Sequence, residues 1–281
     1  YSGGTTINSG ATLDVTGAIE GPATVNGTFD VNNSFTIGDL TGGTSGAIIL
    51  GSGDTLTVNN SANDTYAGGI SSTGGLTIES SDSTTQTLSG MLSYKGLTTI
   101  DADGSLTLTG TGDKIGAVVD DGTLTIDPNV TITDLNGSGM LNLNGTDVLT
   151  VKTTMDDTFS GTLNGVSSTG LAVTGKAGGA LALSGDLTGY TGSFNVSDEG
   201  VMDISVTANT PDTTSSGAYE NIRNGRVNYW VNFDDTINFG SVHATLFTGN
   251  GNITSAQSAS FSNSGYTYQQ NLGEELSGSI F

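Results

Sequence analysis

Apolar and polar residues alternate in short runs along most of this chain. Examples are Thr28-Phe-Asp-Val31, Ala47-Ile-Ile-Leu50, Leu97-Thr-Thr-Ile100, Leu106-Thr-Leu108, Leu124-Thr-Ile126, Val130-Thr-Ile132 and Leu141-Asn-Leu143. A period of two puts successive side chains on opposite faces, so each run predicts a half-buried strand. Asn-Gly, Asp-Gly and Ser-Gly pairs separate the runs and predict tight turns. No long stretch has apolar residues at helical spacing. The prolines are Pro22, Pro128 and Pro211, few enough for strands paired on both edges.

The runs are also similar to one another. Tyr1-Ser-Gly3-Gly4-Thr-Thr-Ile7 returns as Tyr66-Ala-Gly68-Gly69-Ile70 and as Tyr190-Thr-Gly192-Ser-Phe194. A longer unit from Leu56-Thr-Val58 through Asp64-Thr-Tyr66 to Leu88-Ser-Gly90 has a second copy, from Leu149-Thr-Val151 through Asp157-Thr-Phe159 to Leu183-Ser-Gly185. Short alternating strands fit an antiparallel sandwich or a solenoid. Near-identical strand and turn motifs favour the solenoid, because each coil lies on the previous one and like residues stack in rows. The expected fold is all-β, a parallel β-helix with inward Val, Ile and Leu and with Asn and Thr ladders at the turns. At roughly 20–25 residues per coil and about 4.8 Å per coil, residues 1–205 would make about nine coils. Residues 206–281 read as final coils and a cap carrying an aromatic cluster.

Composition narrows the function classes. The 281 residues include 44 glycines, no cysteine and a single histidine, His243. Thiolate zinc sites and multi-histidine metal sites within one chain are excluded. Six basic residues face 28 acidic ones, for a net charge of −22. That argues against nucleic acid and anionic membrane as partners, because both need basic patches. No apolar run is long enough for a membrane-spanning helix. The chain opens inside a repeat and shows no signal peptide, which suggests a processed piece of something longer.

The opening segment Tyr1-Ser-Gly-Gly-Thr-Thr-Ile-Asn-Ser-Gly-Ala-Thr-Leu-Asp-Val15 resembles the autotransporter-associated β-strand repeat. The second element of that repeat is met at Gly104-Ser-Leu106-Thr-Leu108-Thr-Gly110 and at Gly179-Ala-Leu181-Ala-Leu183-Ser-Gly185. The resemblance covers most of 1–205 in degenerate form. It implies a right-handed β-helical passenger, secreted to the cell surface of a Gram-negative bacterium and exposed at its outer membrane. Such passengers act as adhesins or self-association modules in aggregation and biofilm. The family's membrane barrel is missing here, and the aromatic C-terminal section has no matching motif.

Candidate chemistry is sparse. The acidic pairs Asp120-Asp121, Asp156-Asp157, Asp234-Asp235 and Glu274-Glu275 evoke glycoside hydrolysis. Neighbours on a strand face opposite ways, however, so the pairs read as solvated turn carboxylates. Asp101-Ala-Asp103-Gly104 begins like a calcium loop without its closing glutamate, which makes Asp101 and Asp103 the calcium candidates. Gly51-Ser-Gly53-Asp54 and Gly110-Thr-Gly112-Asp113 come one residue short of a calcium nonapeptide. His243 reads as structural. Tyr219, Tyr229, Trp230 and Phe233, near Arg223 and Arg226, are the candidates for ligand or partner contact, as sugar-stacking faces, cap or interface. The expected role is non-enzymatic: an adhesin or self-association module using its polar coil faces. Its partners would be like molecules on neighbouring cells, host proteins or glycans. A surface-layer or filament subunit is the alternative, and a polysaccharide-degrading β-helix comes third.

Overall fold

The computed structural model describes residues 3–207, apart from 81–82, 128, 176–178, 188 and 198–199, together with strands at 219–223 and 226–232. Among the described residues there are 29 strands and no helix. Every strand pairing among them is parallel, so the strands stack as a β-solenoid of about 10 turns and not as an antiparallel sandwich.

Each coil contributes strands to three faces. Face I begins with Thr5–Ile7, Ala23–Val25 and Leu40–Thr41. A bridge between Gly42 and Tyr66 joins these to Asp64–Tyr66, Thr85–Leu88, Ser105–Leu108, Thr123–Ile126, Met140–Leu143 and Thr162–Gly165. Face II runs from Thr12–Val15 through Gly69–Ser72, Asp113–Lys114 and Val148–Lys152 to Tyr219–Arg223. Face III runs from Phe35–Ile37 through Val118–Asp120 and Asp157–Phe159 to Arg226–Asn232. Side-chain hydrogen bonds between adjacent coils join residues 16 to 26 positions apart, which brackets the coil length, and Gln86 Nε2 reaches across two coils to the Leu40 carbonyl, 46 positions away.

The core follows from the alternation. On face I, Tyr66, Leu88, Leu108, Ile126 and Leu143 stack in register and are buried. On face III, Ile37, Val58, Ile78 and Ile100 form an equivalent row. The recurring Tyr-x-Gly has its reason at the corner between faces I and II. The Tyr66 ring is buried, and its hydroxyl donates to the Gly69 carbonyl at 3.4 Å; Tyr190 donates to the Ser193 carbonyl at 2.7 Å. The glycine two residues on must be bare: a Cβ at Gly68 would lie 2.3 Å from the Tyr66 hydroxyl, and one at Gly192 would lie 2.7 Å from Tyr190 Cζ.

The coils do not stop at 205. Tyr219–Arg223 pairs with Ser193–Ser197, and Arg226–Asn232 pairs with Val201–Thr207. The expected cap at 208–218, 224–225 and 233–281 lies outside the described residues.

Candidate functional site: an uncharged threonine and asparagine face

The outward positions of face I form one continuous file. Thr6, Thr24 and Thr41 are in register, and the Gly42–Tyr66 bridge places Thr65 next. Thr87, Thr107, Thr125, Asn142 and Asn164 follow in the same register. At about 4.8 Å per strand, the file runs roughly 38 Å. Apart from Thr41, which ends its strand, each member sits mid-strand between inward positions, so the pleat points it at solvent. Turn asparagines also bond between coils, as expected: Asn32 Nδ2 donates to Asp14 Oδ1 at 2.9 Å, and the Gly43 and Val148 amides donate to Asn26 Oδ1 and Asn129 Oδ1 at 2.8 Å.

Bonds along the file hold the side chains. The hydroxyls of Thr24 and Thr41 are 3.0 Å apart. Asn164 Nδ2 donates to Asn142 Oδ1 at 2.9 Å, and Asn142 Nδ2 reaches toward Thr125 Oγ1 at 3.5 Å. A parallel file of Thr85, Ser105, Thr123, Met140 and Thr162 flanks it, with Thr85 Oγ1 donating to Ser105 Oγ at 3.1 Å. At the asparagine end, a cleft of about 310 Å³ is lined by Asn142, Asn144, Asn164, Thr125 and Val166 among others.

The main file carries no ionisable group, although the chain has a net charge of −22. Carboxylates stand at its margins: Asp101, Asp103 and Asp121 are exposed at the entering corner, and Asp127 at the leaving one. Asp147, beside Asp127, has its carboxyl pushed up by burial and by that neighbouring charge. The described lysines, Lys95, Lys114 and Lys152, are exposed on or beside face II. Lys95 Nζ donates to the Lys114 carbonyl at 2.7 Å.

The acidic pairs correct the sequence reading. Asp121 and Asp156 are exposed, as expected, but Asp120 and Asp157 are only 0% and 2% exposed. Asp120 takes the place after Ile100 in the inner row of face III. The amides of Gly122 and Leu124 approach its carboxyl, but neither oxygen closes a hydrogen bond of good geometry. Burial pushes its pKa up to about 7, with a small push from Asp121, while the amides of Gly122 and Leu124 pull it down. Asp157 accepts from Asn136 Nδ2, and its other oxygen is unpaired. Burial raises Asp157 first, and the nearby Asp134 carboxyl adds to it. Asp134 is itself held by the Thr154 amide at 2.7 Å and the Thr154 hydroxyl at 2.8 Å. Asp113, which the nonapeptide reading offered to calcium, turns inward and accepts from the Leu92 amide at 2.8 Å. Burial raises its carboxyl as well.

Asp101 and Asp103 sit in an exposed turn closed by the Gly104 amide donating to the Asp101 carbonyl at 2.7 Å. Among the described residues, no three His, Asp or Glu side chains gather where they could hold a metal ion. Tyr219 lies opposite Ser193 in the ladder, Tyr229 opposite Ile204 and Trp230 opposite Ser205. Their side chains lie outside the described residues, as do Phe233, His243, Asp234-Asp235 and Glu274-Glu275.

The strand pattern had shown that Thr107, Thr125 and Asn142 face outward. It did not show that they share one face, because that depends on corner lengths. Fold and surface together define a class, a three-faced parallel β-solenoid. No family model, no curated protein and no solved structure matches the chain.

Proposed function

We propose that the chain is an extracellular β-helical passenger that acts as a surface adhesin or self-association module through face I. The observation that carries this reading is the file from Thr6 to Asn164, uncharged across nine coils of a chain with a net charge of −22. Two acidic rods repel wherever their carboxylates meet, and a neighbour can approach an uncharged file without that cost; face III carries a second such file, through Thr36, Thr57, Thr77 and Thr99. Hydroxyls and amides at every coil offer many weak, shape-tolerant contacts to a like molecule, a host protein or a glycan. In this reading the chain binds and does not turn over a substrate. The resemblance of Tyr1–Val15 to the autotransporter-associated repeat supports the placement at a bacterial surface.

The test is display of the chain on a non-aggregating bacterium, with settling and adhesion to cells, matrix proteins and glycans as readouts. Thr107→Asp with Thr125→Asp on face I should abolish most of the signal. Thr131→Asp with Thr150→Asp on face II should leave it intact. Inert behaviour of the unaltered chain in every assay would overturn the proposal.

A further inference from the structure

The inner rows of a solenoid are apolar because a charge there loses its hydration. This solenoid places three carboxyls in its inner rows within neighbouring coils. Asp113, Asp120 and Asp157 are 1%, 0% and 2% exposed, and each has at least one oxygen without a hydrogen bond.

Their surroundings supply no counter-charge. Asp120 stacks between Ile100 and Gly137, and the charge acting on it is Asp121, of its own sign. Asp134 and Asn136 face Asp157 from the preceding coil, and Leu181 stands opposite it in the next. Asp113 stacks on Val130, with the Tyr94 phenol near it. The adjacent cation, Lys114, is exposed on the opposite side of its strand.

We propose that Asp113, Asp120 and Asp157 form a proton-operated lock: protonated, they hold the middle coils closed, and as they ionise the coils loosen. The same coils carry Thr107, Thr125, Asn142 and Asn164, so the lock regulates the order of face I. That last step rests on the surface reading above, whereas the lock itself does not.

The sign follows from linkage. A carboxyl whose pKa is raised on folding stabilises the fold fully below the unfolded value. That contribution is lost as pH climbs through the folded value. For Asp120, raised from 3.8 to about 7, the loss begins near pH 4 and is complete above neutrality. The corresponding rise in the opening constant is up to about a thousand-fold. Asp113 and Asp157 act in the same direction.

Amide hydrogen exchange and urea midpoints of the purified chain, between about pH 5 and pH 8, test the lock. Protection of Val118–Asp120 and Leu135–Asn136 should fall steeply as pH rises. General repulsion among surface carboxylates also weakens the fold at high pH, so variants decide the cause. Asp120→Asn with Asp157→Asn should flatten the slope, and Asp120→Val does so without leaving a buried amide. Asp121→Asn, on the exposed side, should leave the slope in place. Equal protection of wild type at both ends of the range, or equal flattening by Asp121→Asn, overturns the lock. A slope that tracks Asp120 in a chain that binds nothing at any pH upholds the lock and overturns the adhesive reading alone.

Discussion

A few residues fix how each coil closes. The tyrosine at the corner spends its hydroxyl on a carbonyl three residues on, and burial pushes the phenol pKa of Tyr66 and Tyr190 upward. Phe159 makes a similar turn without a hydroxyl at the corner between faces III and I, where a Cβ at Gly161 would lie 2.8 Å from its Cζ, so a buried ring over a bare glycine closes a corner even without the bond. Tyr190→Phe should therefore cost only about 1 kcal/mol, the usual net worth of one hydrogen bond. Gly68→Ala should cost more, on the order of 3 kcal/mol, because its Cβ meets the Tyr66 hydroxyl at 2.3 Å and the Gly46 carbonyl at 2.4 Å. Circular dichroism melts of the two variants give the order directly. The Tyr-x-Gly spacing was legible in the sequence as a repeat. Its cause, a ring folded under a bare backbone, needed three dimensions.

Strands show where a period-two pattern stops informing. It separates inward from outward residues: Leu106 is fully buried, and Thr107 beside it faces out. Leu106→Ala should cost about 3 kcal/mol, and Thr107→Ala should stay within about 0.5 kcal/mol; urea titrations measure both. Asp120 escaped that logic. By sequence, Asp103-Gly104-Ser105-Leu106 aligns with Asp121-Gly122-Thr123-Leu124, which sets Val118 beside Ile100. In the structure Ile100 pairs with Asp120 while Ser105 pairs with Thr123. The second corner is two residues shorter, and the even shift keeps the facing while exchanging a valine for a carboxylate. Asp157 likewise takes an inner place in its ladder, opposite Leu181.

At the scale of the whole molecule, charge and repetition act together. A chain with 28 acidic and six basic residues repels its copies at low salt. Raising ionic strength from about 0.01 M to 0.15 M shortens the screening length from about 30 Å to 8 Å. Self-association through face I should strengthen over that range, and sedimentation velocity would report it. Association that weakens with salt would point to Lys95, Lys114 and Lys152 meeting carboxylates of a second copy. The sequence by itself determined the strands, their inward and outward residues, the turns and the stacked architecture, because each rests on neighbours in the chain and on a period of two. It also determined the absence of thiols and the excess of negative charge. Only the tertiary structure decided which outward residues share a face and which carboxylates enter the core. Both depend on how many residues each corner takes, and corner length is set by how one coil seats on the next.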